Sequence, residues 1–371
     1  MRLDEQELPA NAGSPETLKR SFVMELIVRA VDVGFGNTKF ITGVTGSDIR
    51  CASIPSLAYP SARDPATLPA AERRKTMAIP INGLYYEVGQ EVALATDNLR
   101  ATHLHDRYTE TPEYIALLRG ALALMKVPSI DLLVVGLPVS HFMGKKAALE
   151  KAVTGMHDVG AGKAVIVRKT LVVAQPQGAL VYYAATHQKM ATIEHEQSLI
   201  IDPGSRTFDW LVARGMRLVL KTSDSVTRGV SHVLRVIASD ISTEIGTPYT
   251  DLDAIDRALR TGKNPMVYQK TYDISKLMPV AHSVAERAVG AMLESIPADY
   301  SFQNIILVGG GAFLFKSAVK QAFPKHRILE VREPMYANVR GFQIAGMNYA
   351  RSVMEPATGT GRIARMEGEG A

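Results

Sequence analysis

Two stretches of the chain carry residue types at a spacing that could do phosphate chemistry. Residues 27–40 read Ile-Val-Arg-Ala-Val-Asp-Val-Gly-Phe-Gly-Asn-Thr-Lys-Phe, and residues 199–210 read Leu-Ile-Ile-Asp-Pro-Gly-Ser-Arg-Thr-Phe-Asp-Trp. Each is an apolar run ending in Asp-x-Gly, then small polar residues, then a second β-rich run. Gly34, Gly36 and Gly204 can take backbone angles that point successive N–H groups into an anion-binding concavity. Asn37, Thr38, Ser205 and Thr207 can add side-chain hydrogen bonds, Arg206 lies in the same loop, and Lys39 can set a cation beside terminal phosphates. Asp32 and Asp202 would repel phosphate unless a divalent cation stood between them. Mg²⁺, which keeps most of its waters and takes a few carboxylates plus phosphate oxygens, suits that place. A third segment, residues 305–312, is an apolar run that enters Gly309-Gly310-Gly311 and then a helical pattern. Glycine there lets the backbone approach a flat ring or a phosphate, and a helix N-terminus favours anions. Neither a P-loop nor a Gly-x-Gly-x-x-Gly fingerprint competes with this reading.

The elements that must position these residues alternate along the chain. Residues 25–32 and 39–44 read as strands around a glycine turn. Residues 112–125 have helical spacing with proline in the first turn. A buried-strand run covers 131–137, a helix 144–153, a strand 164–174 and a helix 177–187. Strands follow at 197–202 and 207–213, helices at 228–241, 251–261 and 279–296, a strand at 304–308, a helix at 313–323 and a short strand at 327–331. Residues 60–80 show no periodicity and read as an excursion. Residues 1–21 and 355–371 are polar and read as mobile tails. The alternation predicts an α/β protein, and the recurrence of one strand–turn–strand pattern halfway along predicts duplicated halves.

A length of 371 residues accommodates two domains. The net charge of +5 is mild, and Arg73-Arg74-Lys75 is the nearest approach to a basic run, so no direct sequence-specific nucleic-acid binding is expected. The single cysteine, Cys51, cannot form an internal disulfide, which fits a reducing compartment. The chain lacks a run of about eighteen apolar residues. No membrane contact and a cytoplasmic location are therefore expected. His103-x-His105 and His195 lack further ligands at metal spacing, and Ser140-His141 lacks a nucleophile elbow.

With the three elements in order, the chain resembles the actin, heat-shock-70 and sugar-kinase superfamily. Residues 32–39 are similar to its first phosphate loop, 202–209 to its second and 307–312 to its adenosine motif. Gln175-Pro176-Gln177-Gly178-Ala179 resembles the first connecting motif and Tyr336-Ala337-Asn338-Val339-Arg340-Gly341-Phe342 the second. The Ala-Asn-x-x-Gly form is most similar to bacterial ParM/StbA plasmid-segregation actins and archaeal relatives, nearest to the ParM-like protein D family of PRTRC plasmid systems.

The resemblance implies an actin-like fold of two ribonuclease-H-like domains flanking a nucleotide cleft. Domain I would span 22–170 plus 330–354, with a variable outer subdomain within 45–120, and domain II 171–329. It implies ATP or ADP with Mg²⁺ as cofactors. Asp32 and Asp202 would hold the metal largely through water, and the loop glycines, Gly309, Gly310, Gly311 and Asn338 would line the nucleotide. Gln175 would orient the attacking water, or Gln177 if the register slips by two. Asp209 would help the metal or face solvent. Asp256, Arg257, Glu286 and Arg287 are nucleoside-contact candidates, or surface charge. The implied function is an ATPase that self-associates into nucleotide-dependent filaments and meets a DNA-binding adaptor during plasmid segregation. The alternatives are a small-molecule kinase with Asp209 as base, and a non-polymerising nucleotide switch. Trp210, beside Asp209, is expected to report Mg-ATP binding by fluorescence.

Overall fold

A computed structural model describes residues 26–95 and 107–354. The segments read as tails, 1–21 and 355–371, and the pair His103 and His105 lie outside the described residues. The most apolar runs form strands buried on both faces: every residue of Leu132–Leu137 is buried, as are nearly all of Val28–Val33 and Gln197–Pro203. Such strands belong in the middle of covered parallel sheets.

Two sheets result, and they share one plan. The first has the order Thr170–Ala174, Leu132–Leu137, Val28–Val33, Asn37–Thr45, Asp48–Pro55. Its last three strands form an antiparallel meander, and the other two run parallel to Val28–Val33. The second has the order Arg217–Leu218, Phe208–Arg214, Gln197–Pro203, Asn304–Leu307, Ile328–Glu330, with Asp224–Val226 also paired to Phe208–Arg214. Again a meander is continued by two parallel strands. The pairing register repeats as well: Asp32 stands opposite Lys39, and Asp202 opposite Asp209. Each hairpin is closed by a glycine N–H, Gly34 to the Asn37 carbonyl at 3.2 Å and Gly204 to the Thr207 carbonyl at 2.8 Å. The repeat seen in sequence is thus a duplication in space.

The chain passes from the first sheet to the second at Gln175. The strand Thr170–Ala174, placed with the second half from sequence, completes the first sheet. Helix Gln175–Thr186 then packs its Ala179, Leu180 and Tyr183 with Ile200 and Leu211 of the second sheet. Helix Ala337–Tyr349 does the reverse, placing Val339 and Phe342 against Val28, Ala30, Leu132 and Val134 of the first. These two crossing helices tie the halves together, and they touch through glycine. A Cβ on Gly341 would fall 1.7 Å from the Gly178 carbonyl oxygen, and one on Gly178 would fall 2.4 Å from the Asn338 carbonyl oxygen. Gly341→Ala must therefore force the helices apart. A loss of about 3 kcal/mol or more is expected from such overpacking, seen as a lowered melting temperature. Gly290→Ala, in a helix where nothing lies within 4 Å of the added carbon, should leave stability unchanged or raise it by up to about 1 kcal/mol.

The stretch read as an irregular excursion is partly regular. Tyr59–Ser61, Thr76–Ile81 and Leu84–Gly89 form a small sheet, turned by Asn82-Gly83 with positive φ at both residues. Asn-Gly is the dipeptide a two-residue hairpin needs; Pro80 had obscured the strand before it. Ile79 and Val88 of this sheet pack on helix Pro112–Leu124. That helix starts where proline and the Thr111 cap place it, the Thr111 hydroxyl accepting from the Tyr114 N–H at 3.2 Å. Among the described residues, no helix is long and apolar enough to cross a membrane.

Candidate functional site

The tips of the two hairpins face each other. A Cβ added to Gly36 would lie 2.7 Å from the Ser205 Cβ. Beside this contact the Phe35 ring stacks on Tyr108 at 5.0 Å, and the Arg206 guanidinium lies 5.0 Å from the Phe35 ring centroid. Beneath the tips runs a cleft of about 520 Å³. Its walls include Asp32, Gly34, Gly36, Asn37 and Lys39 from the first hairpin and Asp202, Gly204, Ser205, Thr207 and Asp209 from the second. Gln175, Gly309, Gly310 and Asn338 complete the set drawn from the sequence.

The two aspartates are held in matching ways. Asp32 is 1% exposed and Asp202 7%. The Gln175 amide, on the first residue of one crossing helix, donates to Asp32 Oδ1 at 2.6 Å. The Asn338 amide, on the second residue of the other, donates to Asp202 Oδ2 at 2.6 Å. Lys39 Nζ adds a 3.1 Å ion pair to Asp32 Oδ2. Burial pushes the Asp202 carboxyl above its ordinary pKa, and the Asn338 hydrogen bond and the Lys39 charge only partly offset it. Burial works against the Lys39 ammonium too, but Asp32 and Asp202 outweigh it and its pKa is raised.

Asp209 is buried, so it does not face solvent. Burial first, and the nearby Asp202 charge second, push its carboxyl up to about 7. It accepts a hydrogen bond from the Ser225 hydroxyl, and the nearby Thr207 hydroxyl and Val139 backbone pull its pKa down without offsetting the rise. Val139 opens helix Val139–Val153, which has no side-chain cap of its own from its preceding residue, Pro138. A carboxylate of the second sheet thus lies near the start of a helix that follows the first, where the positive end of a helix favours negative charge.

Some residues singled out in the sequence point elsewhere. Thr38 is fully buried on the far side of its strand, its hydroxyl 2.9 Å from that of Ser56. Arg206 and Gln177 do not line the cleft. Gly311 serves packing: its Cβ would meet Val230 at 2.5 Å, and its N–H donates to Pro203. Gly309 has φ +82°, and a Cβ there would sit 2.1 Å from Asp202 Oδ1, so only glycine fits. Trp210 adjoins Asp209 in sequence but faces the opposite side of the sheet, in the core with Phe208 and Phe315. Its ring is therefore separated from the cleft, and any fluorescence response would come through motion of that core.

At the end of the cleft beyond Gly310, helix Leu252–Thr261 supplies Asp253, Asp256 and Arg260, while Val230, Leu234 and Met335 add apolar surface. Arg260 pairs with Asp256 at 2.7 Å, donates to the Gly310 carbonyl at 3.1 Å and stacks over Phe313. Asp256 Oδ1 is buried without a partner, an acceptor suited to a hydroxyl. Arg257, Glu286 and Arg287 lie outside the lining. Of these contacts, the i, i+4 spacing of Asp256 and Arg260 was the only signal in the sequence. His141 also lines the cleft, without any motif to mark it.

Among the described residues no group of three or more His, Cys, Asp or Glu side chains could hold a metal ion. Asp32 and Asp202 together fit a hard cation that retains water and takes further oxygens from a bound phosphate, as Mg²⁺ does.

The chain has an actin-like fold. Residues 30–178 match the family of actin-like protein N-terminal domains, and residues 200–321 match the C-terminal domain of archaeal MreB-like actin homologues. Among solved structures it is similar to Ta0583, an archaeal actin homologue, with a TM-score of 0.71 at 22% identity, covering 87% of this chain and 100% of that one. The complex of Ta0583 with ADP aligns at 0.70 and 20% identity over the same shares. A ParM from Clostridium botulinum, solved as a 15-stranded filament, aligns at 0.69 and 18% identity, covering 88% of this chain and 100% of that one. No curated protein matches it in sequence.

Proposed function

We propose that the protein is an ATPase that closes its two halves over Mg-ATP, hydrolyses it slowly and assembles into nucleotide-dependent filaments. The observation that carries this reading is the pair of apposed hairpins, each ending a buried strand in Asp-x-Gly and each aspartate oriented by an amide from a crossing helix. The loop N–H groups between the closing bonds of Gly34 and Gly204, at residues 35–37 and 205–207, would hold the β- and γ-phosphates with Lys39. Mg²⁺, when bound between the phosphates and Asp32 and Asp202, would neutralise the charge that builds up during transfer. Phosphoryl transfer to water then rests mainly on positioning. Gln175 gives its amide N–H to Asp32 and keeps its carbonyl to accept from a water, so it would align the nucleophile without deprotonating it. Asp256 and Arg260 would receive the ribose and base edge. Solved structures similar to this chain include an ADP complex and a filament, which supports nucleotide binding and self-association.

Within this class the Ala337-Asn338-x-x-Gly341 form favours the ParM/StbA plasmid-segregation type, in which a DNA-bound adaptor couples the filament to plasmid. A cytoplasmic site of action goes with that role. Pelleting and light scattering with ATP, with ADP and without nucleotide test the reading, together with phosphate release. ATP-dependent pelleting supports it; a protein that stays dispersed under all three conditions refutes it. Gln175→Ala should lower turnover by about tenfold to a hundredfold with little change in ATP affinity, measured as a split between kcat and KM. A second reading, a small-molecule kinase, is favoured by the poised Asp209 carboxyl in the cleft. Sugar-stimulated ATP turnover without pelleting would establish it instead.

A further inference from the structure

The tips of the two Asp-x-Gly hairpins are joined by side chains as well as by close backbones. Phe35 stands between Gly34 and Gly36 at the first tip, and its half-buried ring packs on the apolar core of the first half. It stacks on Tyr108 with the ring planes 27° apart, and Tyr108 in turn meets Tyr114 edge to face at 5.4 Å. From the second half, the Arg206 guanidinium reaches over the same Phe35 ring, 5.0 Å from its centroid. Phe35 and Tyr108 line the cleft, and Arg206 does not. The ring is therefore part of the cleft wall, and the cation lies on it from outside the lining. A cation over an aromatic face is held by the ring quadrupole, more strongly where water is partly excluded.

Each tip is also fastened to its own half by the backbone. The Gly36 carbonyl accepts from the Ser56 N–H at 3.0 Å, which ties the first tip to the end of strand Asp48–Pro55. The second tip is tied to the start of helix Val230–Ile245. The carbonyls of Gly204, Ser205 and Arg206 accept from the N–H groups of Val230, Ser231 and Gly229 at 3.0, 2.8 and 2.9 Å. A Cβ on Gly229 would fall 2.6 Å from the Gly204 carbonyl oxygen, so this loop and the helix start are in direct backbone contact. Neither tip can yield without its half, and parting the halves pulls Arg206 off the Phe35 ring.

We infer that Phe35 and Arg206 form a clasp across the mouth of the cleft that sets how fast nucleotide leaves. The clasp rests on the nucleotide reading above and adds to it the side chains that govern exchange. Phosphates gripped by residues 35–37 on one side and 205–207 on the other are freed only when the tips separate, and the clasp opposes that separation. Tyr108 holds the Phe35 ring in place for the guanidinium. Opening steps of this kind set product release in many enzymes. Arg206 acts here through Phe35 and not on the phosphates, in keeping with its place outside the cleft lining.

The test loads the full chain with Mg²⁺ and N-methylanthraniloyl-ADP, chases with excess ADP and reads the dissociation rate from the fall in fluorescence. Phe35→Leu keeps apolar bulk and the backbone N–H but loses the aromatic face. Arg206→Gln keeps a polar side chain but loses the charge. Each should speed release by about threefold to thirtyfold. The double variant should exceed the faster single by no more than about twofold, because both changes remove the same contact. Phe35→Tyr, which restores an aromatic face, should release at least about threefold more slowly than Phe35→Leu. Wild-type release in either single variant, or a double variant whose acceleration is the product of the two, overturns the clasp. Faster release in Arg206→Gln with none in Phe35→Leu is the mark of a guanidinium that touches phosphate directly, and overturns it too. A wild type that binds no analogue counts against the nucleotide reading itself. If Phe35→Leu does not fold, Phe35→Met takes its place, with the same expected acceleration and the same refutation.

Discussion

Asp202→Ala is expected to cut ATP turnover by about two orders of magnitude or more while the chain stays folded. The argument starts from what Asp202 touches. It ends a buried strand, accepts from the Asn338 amide at 2.6 Å and lies so close to Gly309 that no side chain fits between. It shares the field of Lys39 with Asp32. Removing it deletes one of the two carboxylates that would orient the metal and frees Asn338 from its position. Stability should change little. Burial already penalises the Asp202 charge, so the loss of its hydrogen bond is offset by relief of that penalty. Phosphate release at saturating Mg-ATP, read beside a thermal melt, separates the two effects. Turnover close to wild type would remove Asp202 from the chemistry.

The second expected result is a fall in the stability of the nucleotide-free protein as pH rises from about 4 to about 7. Asp209 has its carboxyl pushed up to about 7 from 3.8, by burial first and by the Asp202 charge second. Across that window the folded chain keeps a proton that the unfolded chain has released. Stability therefore decreases with rising pH, and the contribution is flat below the unfolded value and above the folded one. Three pH units correspond to a contribution on the order of 4 kcal/mol. Asp202, also raised, acts in the same direction. Asp209→Asn should flatten most of this slope and melt above the wild type at pH 8, because the buried charge is gone while the Ser225 and Thr207 hydroxyls can reorient. The same variant removes a negative charge from beside the start of helix Val139–Val153. Melting temperatures of both proteins between pH 5 and 8 decide the matter; parallel curves would show that Asp209 is ionised throughout.

These predictions depend on features of very different legibility. The two Asp-x-Gly hairpins could be read directly because local chemistry dictates them. An apolar β-rich run must be a buried strand, and glycine at the bend must turn. A carboxylate at the end of a buried strand has few uses besides a cation or a helix cap. The recurrence of that pattern also implied two similar halves, and the paired registers of Asp32 with Lys39 and Asp202 with Asp209 bear out that duplication.

Other assignments failed where they depended on which face of an element a residue presents. Thr38 has the chemistry of a phosphate ligand, but in a strand its side chain lies opposite to those of Asn37 and Lys39. Trp210 is likewise one residue from Asp209 and a whole sheet away from the cleft. Gln175 and Gln177 are equivalent as residue types, and only the helix that begins at Gln175 turns the first toward Asp32.

The sequence alone determined that this chain has two strand–turn–strand hairpins, each ending a buried strand in Asp-x-Gly, and a glycine-rich third element, since each follows from neighbours within a dozen residues. Tertiary structure decided the rest. It set Gly36 against Ser205, brought Asn338 to Asp202 across 136 positions, buried Asp209 beside the start of a helix of the other half, and placed Asp256 and Arg260 at the cleft. Those contacts join residues distant in the chain. They are selected by how two sheets and two crossing helices fill space together, and no local pattern encodes that.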